Sequence, residues 1–133
     1  MVLLDRVVSV DGREKRLVAE FAARPEWSEN WASVEYMAQA AAALAGMMDV
    51  LEGGKGPPKP GFLLGTRKLE LLADRFEPGR RYLVEARNEF SDSKAASFEC
   101  EIRDGGTVVA KAMLSAYRPQ DMEGFIKERK NEN

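Results

Sequence analysis

The length, composition and charge of the chain exclude several classes of protein. Its 133 residues fit one domain, and 44% hydrophobic against 32% charged residues allow a buried core. The net charge of −2 provides no overall field that would favour nucleic acid or an anionic membrane. The sequence contains no histidine, which excludes Ser-His-Asp and Cys-His catalysis and, with a single cysteine, argues against a metal site.

The cysteine content and the apolar runs indicate a compartment. Cys100 has no second cysteine with which to form an internal disulfide, and this favours a reducing environment. The N-terminus lacks the basic and apolar regions of a signal peptide, and no apolar run is long enough to span a membrane. We therefore expect a cytoplasmic protein with no membrane association, no nucleic-acid partner and no cofactor.

The first half of the chain predicts a β-hairpin followed by one long helix. Residues 14–21 have the alternation of a half-buried strand that follows a turn at Asp11-Gly12, and residues 3–10 are predicted to be its hairpin partner. Residues 24–30 form a polar loop. A helix then starts near Trp31 and runs to about Leu51, where Gly53-Gly54 would end it.

The second half of the chain predicts antiparallel sheet. Strands are expected at residues 81–87, 96–103 and 108–116, with turns at positions 91–93 and 104–106, and the result is a β-meander. Residues 61–69 are predicted to form a further strand. Gly65 suggests a bulge, or a place where another group approaches the backbone. Residues 1–119 are predicted to form a single domain, and residues 120–133 a charged C-terminal tail.

The predicted helix is apolar on nearly every side. Between Val34 and Met48 the only charged residue is Glu35 and the only other strongly polar residue is Gln39, so the helix should be buried. One antiparallel sheet wrapped around one central helix is an α+β arrangement, the hotdog fold. The exposed edge of such a sheet commonly pairs with a second copy to form a dimer.

Glu35 and Gln39 are the candidate functional groups of this helix. They lie one turn apart on one helical face, and desolvation raises the pKa of a buried carboxylate, which suits it to general acid-base catalysis. The backbone N–H groups of Trp31, Ala32 and Ser33 are expected to be free to polarise a thioester carbonyl. The alternative is that Glu35 accepts hydrogen bonds from the loop at residues 24–30.

Four sequence blocks carry a family resemblance. The block VEYMAQ at positions 34–39 resembles the glutamate-bearing helix of the FabA/FabZ-type β-hydroxyacyl-acyl-carrier-protein dehydratases. The first ten residues look like their first strand, and FEPG at positions 76–79 looks like a later turn. With GFLLGTR at positions 61–67, the chain is similar to the dehydratase-like proteins of aryl-polyene biosynthetic clusters.

The resemblance implies roles for individual residues. Glu35 would be the catalytic carboxylate, while the histidine that removes the α-proton in ordinary dehydratases has no counterpart in the loop at residues 24–30. Glu26, Ser28, Tyr36 or a residue of a partner subunit would assist. The candidate substrate-binding residues are Gln39, Tyr36, Trp31, Gly65 and Thr66.

Three functions remain open on these grounds. The first is a β-hydroxyacyl thioester dehydratase that uses Glu35, with an acyl carrier protein or coenzyme A thioester as substrate. The second is a hotdog acyl thioesterase in which Glu35 activates water. The third is a non-catalytic subunit or acyl-binding module that pairs with a histidine-bearing relative and supplies only structure or the carboxylate. The chain is expected to form a homodimer or a heterodimer with a related hotdog subunit.

Basic residues offer a candidate surface for the carrier. A patch would attract an acidic carrier protein or the phosphate of pantetheine, although the same residues could simply be solvated strand ends. The candidates are Arg67, Lys68, Arg80 and Arg81. Cys100 is predicted to be a packed core thiol.

Overall fold

The computed structural model describes residues 2–51, 63–92 and 95–117. Its elements are β1 (Arg6–Asp11), β2 (Arg16–Ala22), α1 (Ser33–Leu51), β3 (Leu63–Leu71), β4 (Arg81–Ser91), β5 (Ala95–Asp104) and β6 (Thr107–Tyr117), with short 3-10 turns at Pro25–Trp27 and Asn30–Ala32. The predicted helix stop at Gly53-Gly54 and the predicted tail at residues 120–133 lie outside the described residues. All the predicted strands are present to within a few residues.

The strands form one antiparallel sheet in the order β1-β2-β4-β5-β6-β3. The predicted meander is confirmed, since β4, β5 and β6 follow one another across the sheet. Strand β3 pairs with β6 and becomes the edge opposite β1. The strand that follows the helix is therefore an edge strand, with one side unpaired among the described residues.

Local chemistry accounts for the first hairpin. The Asp11 carboxylate accepts hydrogen bonds from the backbone N–H groups of Arg13 and Glu14, each at 3.0 Å. This is the usual way in which an aspartate stabilises a turn, since its short side chain replaces a backbone acceptor. The turn predicted at Asp11-Gly12 is confirmed.

The core lies between the sheet and one side of the helix. Alternate residues of the central strands face α1, and seven of its first twelve residues are buried. Those helical residues are Tyr36, Met37, Ala38, Ala40, Ala41 and Leu44, together with Ser33 at the helix start. Phe21, Tyr36, Phe76 and Tyr82 form an aromatic cluster at one end of this core.

The opposite side of the helix is not covered by the described residues, contrary to the prediction of a helix buried all round. Trp31, Glu35 and Ala42 are exposed, and Gln39 and Gly46 are half-buried. A rotation of about 100° per residue places these positions along one side of the helix, which we call the open stripe. The architecture is the predicted hotdog fold, with the sheet curved around one side of α1 in the single chain.

Candidate functional site

Glu35 lies in the first turn of α1, at the head of the open stripe. Two 3-10 turns, Pro25–Trp27 and Asn30–Ala32, bring the chain to the start of the helix. The side chain is exposed, which corrects the prediction that Glu35 is buried among apolar groups. In the single chain its carboxylate is open to water, to a substrate or to a second subunit.

Gln39 holds this carboxylate from the next turn of the helix. Its Nε2 donates a hydrogen bond to Oε1 of Glu35 at 3.0 Å. Its own Oε1 accepts a hydrogen bond from the backbone N–H of Leu3 at 2.7 Å. The prediction that Glu35 and Gln39 share a helical face is confirmed. The hydrogen bond between Leu3 and Gln39 could not be predicted from the sequence, because its donor is a backbone group.

Two of the three predicted oxyanion donors are already engaged. The backbone N–H of Ala32 donates to the carbonyl of Glu29 at 3.0 Å. The backbone N–H of Ser33 donates to the carbonyls of Asn30 and Trp31, because the chain enters α1 through a 3-10 turn. These two groups are therefore not available to polarise a thioester carbonyl, and this correction follows from the local geometry of the helix start.

The structure places Tyr36 in the core and not on a surface where substrate could bind. Its side chain is 0% exposed, and its ring stacks on Phe21 with centroids 3.8 Å apart. The hydroxyl donates to the carbonyl of Trp27 at 3.0 Å. Burial raises the pKa of Tyr36 above its ordinary value. This corrects its prediction as a substrate contact and as a group assisting Glu35.

Ser28 and Glu26, the other predicted assistants in the loop, differ in their surroundings. Ser28 is buried and donates its hydroxyl hydrogen bond to the carbonyl of Pro25 at 2.8 Å, so it stabilises the turn. Glu26 is exposed in the turn Pro25–Trp27. Of the predicted assistants within this chain, Glu26 is the one whose exposure suits a role in chemistry.

Trp31 gives the head of the open stripe an aromatic surface. It is 55% exposed and precedes Glu35 by about one turn. Its ring leans against that of Trp27, with centroids 5.6 Å apart and an angle of 58° between the planes. An exposed indole beside an exposed carboxylate suits contact with an apolar substrate group or with a second subunit.

Gly65 and Thr66 lie on the edge strand β3, where both are exposed. Thr66 pairs with Leu114 of β6, a core residue, so Thr66 is on the helix-facing side of the sheet. A Cβ added at Gly65 would meet nothing within 4 Å. The predicted bulge occurs three positions later, where Lys68 has a φ of +53° and the register with β6 shifts.

The four basic residues predicted to form one carrier patch lie at two separate places. Arg67 and Lys68 are on β3, whereas Arg80 and Arg81 lie where β4 begins. The strand register puts Arg67 level with Arg87 of β4, across β6 and β5. Arg81 is about 20 Å further along β4 at about 3.3 Å per residue. The prediction that these four residues form a single patch is therefore wrong.

Arg80 and Arg81 are paired with carboxylates of their own chain. Arg80 contacts Glu77 at 3.2 Å and Asp104 at 3.0 Å, and Arg81 contacts Glu20 at 2.8 Å. All these pairs are at the surface, where such contacts contribute little to stability. Arg67 and Lys68 remain the better candidates for meeting an acidic carrier.

Cys100 is a packed core thiol, as predicted. It is buried, and desolvation raises the pKa of its thiol to about 12. A thiol with so high a pKa is not a nucleophile near neutrality. Among the described residues, no cluster of three or more His, Cys, Asp or Glu side chains could hold a metal ion. No helix in the described part of the chain is long and apolar enough to cross a membrane.

Comparison with known proteins places this chain in a family. A model of the ApeP-like family, described as ApeP dehydratase, matches residues 1–127. None of the curated proteins compared with the sequence matches it.

Solved structures share the fold. The dehydratase heterocomplex ApeI:P from Xenorhabdus doucetiae has a TM-score of 0.80 at 22% identity, over 94% of this chain and 89% of that chain. A phenylacetic acid degradation-related protein from Ralstonia eutropha JMP134, described as a candidate thioesterase, has a TM-score of 0.58 at 17% identity, over 84% and 83% of the two chains. The PaaI protein of E. coli has a TM-score of 0.60 at 13% identity, over 84% and 77%. At these identities the likeness is one of fold.

Proposed function

The chain belongs to the ApeP-like dehydratase family, and from this membership we propose that it takes part in the dehydration of β-hydroxyacyl thioesters, with Glu35 as its catalytic carboxylate. The observation that carries the proposal is the placement of Glu35. It is exposed at the start of α1 and held by Gln39, in a helix whose other residues from Val34 to Met48 carry no charge. A lone oriented carboxylate on an apolar surface is a plausible acid-base group for an apolar acyl substrate.

Dehydration needs a base and an acid. The base removes the α-proton, the electron pair forms the new carbon–carbon double bond, and the β-hydroxyl leaves with a proton from the acid as one molecule of water. Glu35 in its acid form supplies the proton to the leaving hydroxyl and becomes a carboxylate. A second group must accept the α-proton, and the chain contains no histidine for that step.

We assign the second group to a related hotdog subunit. Three observations favour this assignment: the open stripe leaves the helix uncovered, β3 is an unpaired edge in the described chain, and Tyr36 and Ser28 are buried. The structural neighbour ApeI:P is itself named as a heterocomplex of dehydratases. In the proposed pair, this chain supplies Glu35 and a histidine of the partner accepts the α-proton.

The proposed substrate is carried on an acyl carrier protein or on coenzyme A, in fatty-acid or polyene-type biosynthesis in the cytoplasm. Arg67 and Lys68 on β3 are exposed and would meet the phosphate of the pantetheine arm or an acidic carrier surface. Trp31 would contact the acyl group beside Glu35, and the exposed edge-strand residues Gly65 and Thr66 are the other proposed substrate contacts.

A thioesterase is the second candidate. The specific observation in its favour is that Glu35 is open to water in the single chain, and hydrolysis needs a carboxylate that activates a water molecule. In that reaction the water attacks the thioester carbonyl, and the products are a free acid and the carrier thiol.

The test is intact-mass spectrometry of a β-hydroxyacyl carrier-protein thioester incubated with this chain, alone and mixed with a related histidine-bearing subunit. Loss of one water from the acyl group, abolished by Glu35→Gln and kept by Glu29→Gln, supports the proposal. The Glu29 variant is a matched control because it removes an exposed carboxylate from the adjacent loop.

The other outcomes separate the alternatives. Release of the acyl group as a free acid would identify a thioesterase. Dehydration by the mixture that survives Glu35→Gln would show that the chain has a structural role and that the partner performs both proton transfers.

A further inference from the structure

We propose that the N-terminal segment, Val2–Asp5, is a positioning element that fixes the orientation of the Glu35 carboxylate through Gln39. The proposal rests on the proposed function of Glu35 and adds a part of the chain that does not touch the substrate. Its basis is a continuous chain of hydrogen bonds from the backbone of Leu3 to Gln39 and then to Glu35.

The direction of these hydrogen bonds determines how the Gln39 amide must lie. A glutamine amide can present either its oxygen or its nitrogen to a neighbour. The backbone N–H of Leu3 can only donate, so it requires the oxygen of Gln39, which it meets at 2.7 Å. The amide nitrogen is then turned towards Glu35, and it donates to Oε1 at 3.0 Å.

Removing the Leu3 donor would remove this constraint. A flipped amide would bring the Gln39 oxygen against the Glu35 carboxylate, and two acceptors in contact repel one another. The carboxylate would then leave its position and sample other rotamers. The Leu3 N–H therefore favours the orientation in which the Gln39 amide nitrogen faces Glu35.

The segment is itself fixed to the fold, which a positioning element requires. The side chain of Leu3 is 1% exposed and belongs to the hydrophobic core. Two residues later, the backbone N–H of Asp5 donates to the carbonyl of Glu20 at 2.9 Å. The Asp5 carboxylate accepts from the backbone N–H of Ala22 at 2.7 Å. The Leu3 donor is thus fixed by the packing of its own side chain in the core and by the hydrogen bonds of Asp5 to strand β2.

Two variants at one position separate the backbone donor from the packing of the side chain. Leu3→Pro removes the N–H, whereas Leu3→Ala keeps it, and both lose most of the buried side chain. The difference between these two variants therefore reports the hydrogen bond, even where both are less stable than the natural chain. Gln39→Met removes the link itself while keeping a side chain of similar length.

The first measurement needs no activity. In protein labelled with ¹³C at the glutamate carboxyl groups, the Glu35 signal is identified by its disappearance in Glu35→Gln. We expect Leu3→Pro and Gln39→Met to shift this signal, and Leu3→Ala to leave it in place. Equal signals in Leu3→Pro and Leu3→Ala would overturn the proposal.

The second measurement is kinetic and uses the active assembly. Relative to Leu3→Ala, Leu3→Pro should lower kcat about tenfold with KM unchanged, since a misplaced carboxylate affects the chemical step more than binding. In a Gln39→Met background the two Leu3 variants should have equal kcat, because the link is already lost. An undiminished difference in that background would refute a path through Gln39.

Failure of the two proposals is distinguishable. If the natural chain shows no turnover with or without its partner, the proposed function fails. The carboxyl signals then decide by themselves whether Val2–Asp5 positions Glu35.

Discussion

Replacing Tyr36 by phenylalanine tests whether this residue belongs to the core or to a substrate surface. The ring would keep its stacking on Phe21, where the centroids are 3.8 Å apart and the planes are 12° from parallel. What is lost is the hydroxyl, which donates to the carbonyl of Trp27 at 3.0 Å. A hydrogen bond of this kind contributes about 1 kcal/mol net, and leaving a partly buried carbonyl unpaired costs more. We expect Tyr36→Phe to lower the free energy of unfolding by about 1–2 kcal/mol.

The assay is urea unfolding followed by tryptophan fluorescence, since Trp27 and Trp31 lie beside the affected carbonyl. The midpoint should fall while the slope of free energy against urea stays constant. Tyr117→Phe is the matched control, because Tyr117 is 48% exposed and its variant should stay within about 0.5 kcal/mol of the natural chain. An unchanged midpoint in Tyr36→Phe, or an increase in KM without loss of stability, would refute the assignment of Tyr36 to the core.

Three further predictions concern pH, thiol reactivity and a turn. Burial raises the pKa of Tyr36 above the ordinary 10.0, so this tyrosine ionises at a lower pH in the unfolded chain than in the folded one. The difference in free energy of unfolding between the natural chain and Tyr36→Phe should therefore be constant below about pH 10 and decrease as the pH rises further. Urea titrations of both proteins at several pH values measure this difference. The Cys100 thiol, with its pKa raised to about 12, should react with a thiol reagent near neutral pH only after urea unfolds the chain; fast labelling of the native protein would contradict its burial. Gly105 has a φ of +60°, whereas Gly106 does not have a positive φ, and both have open space around the Cβ position. Gly105→Ala should therefore lower the free energy of unfolding by about 1 kcal/mol, and Gly106→Ala should not. The urea midpoints of the two variants test this difference.

The strands and the helix could be predicted because their hydrophobic periodicity is local. From Tyr82 to Asn88 and from Ala96 to Ile102 every second residue is buried, as the alternation in the sequence indicates. The position of β3 was harder to predict. Its pairing with β6 joins distant parts of the chain, and local periodicity does not reveal such a partner.

The candidate site could be predicted in part. The spacing of Glu35 and Gln39 implies a shared helical face, and the hydrogen bond between them confirms it. The engagement of Gln39 by Leu3 could not be predicted, since a backbone N–H is the same group at every residue except proline. The prediction of a single basic patch was wrong for a related reason. The shared positive charge of Arg67 and Arg81 does not reveal where each residue lies in the strand register.

Simple geometry explains why the helix retains an open stripe. Strands in a sheet lie about 4.8 Å apart, so the six strands span about 24 Å from the first to the last. A helix with its side chains is about 10 Å across, and a sheet that surrounded it at a distance of about 10 Å from its axis would need a circumference of about 60 Å. One sheet of this size therefore covers less than half of α1. Because the sequence makes α1 apolar on nearly every side, the remaining surface around Glu35 and Ala42 has the composition of an interface. The uncovered half of the helix is thus the physical reason to expect that Glu35 acts at a boundary between two subunits.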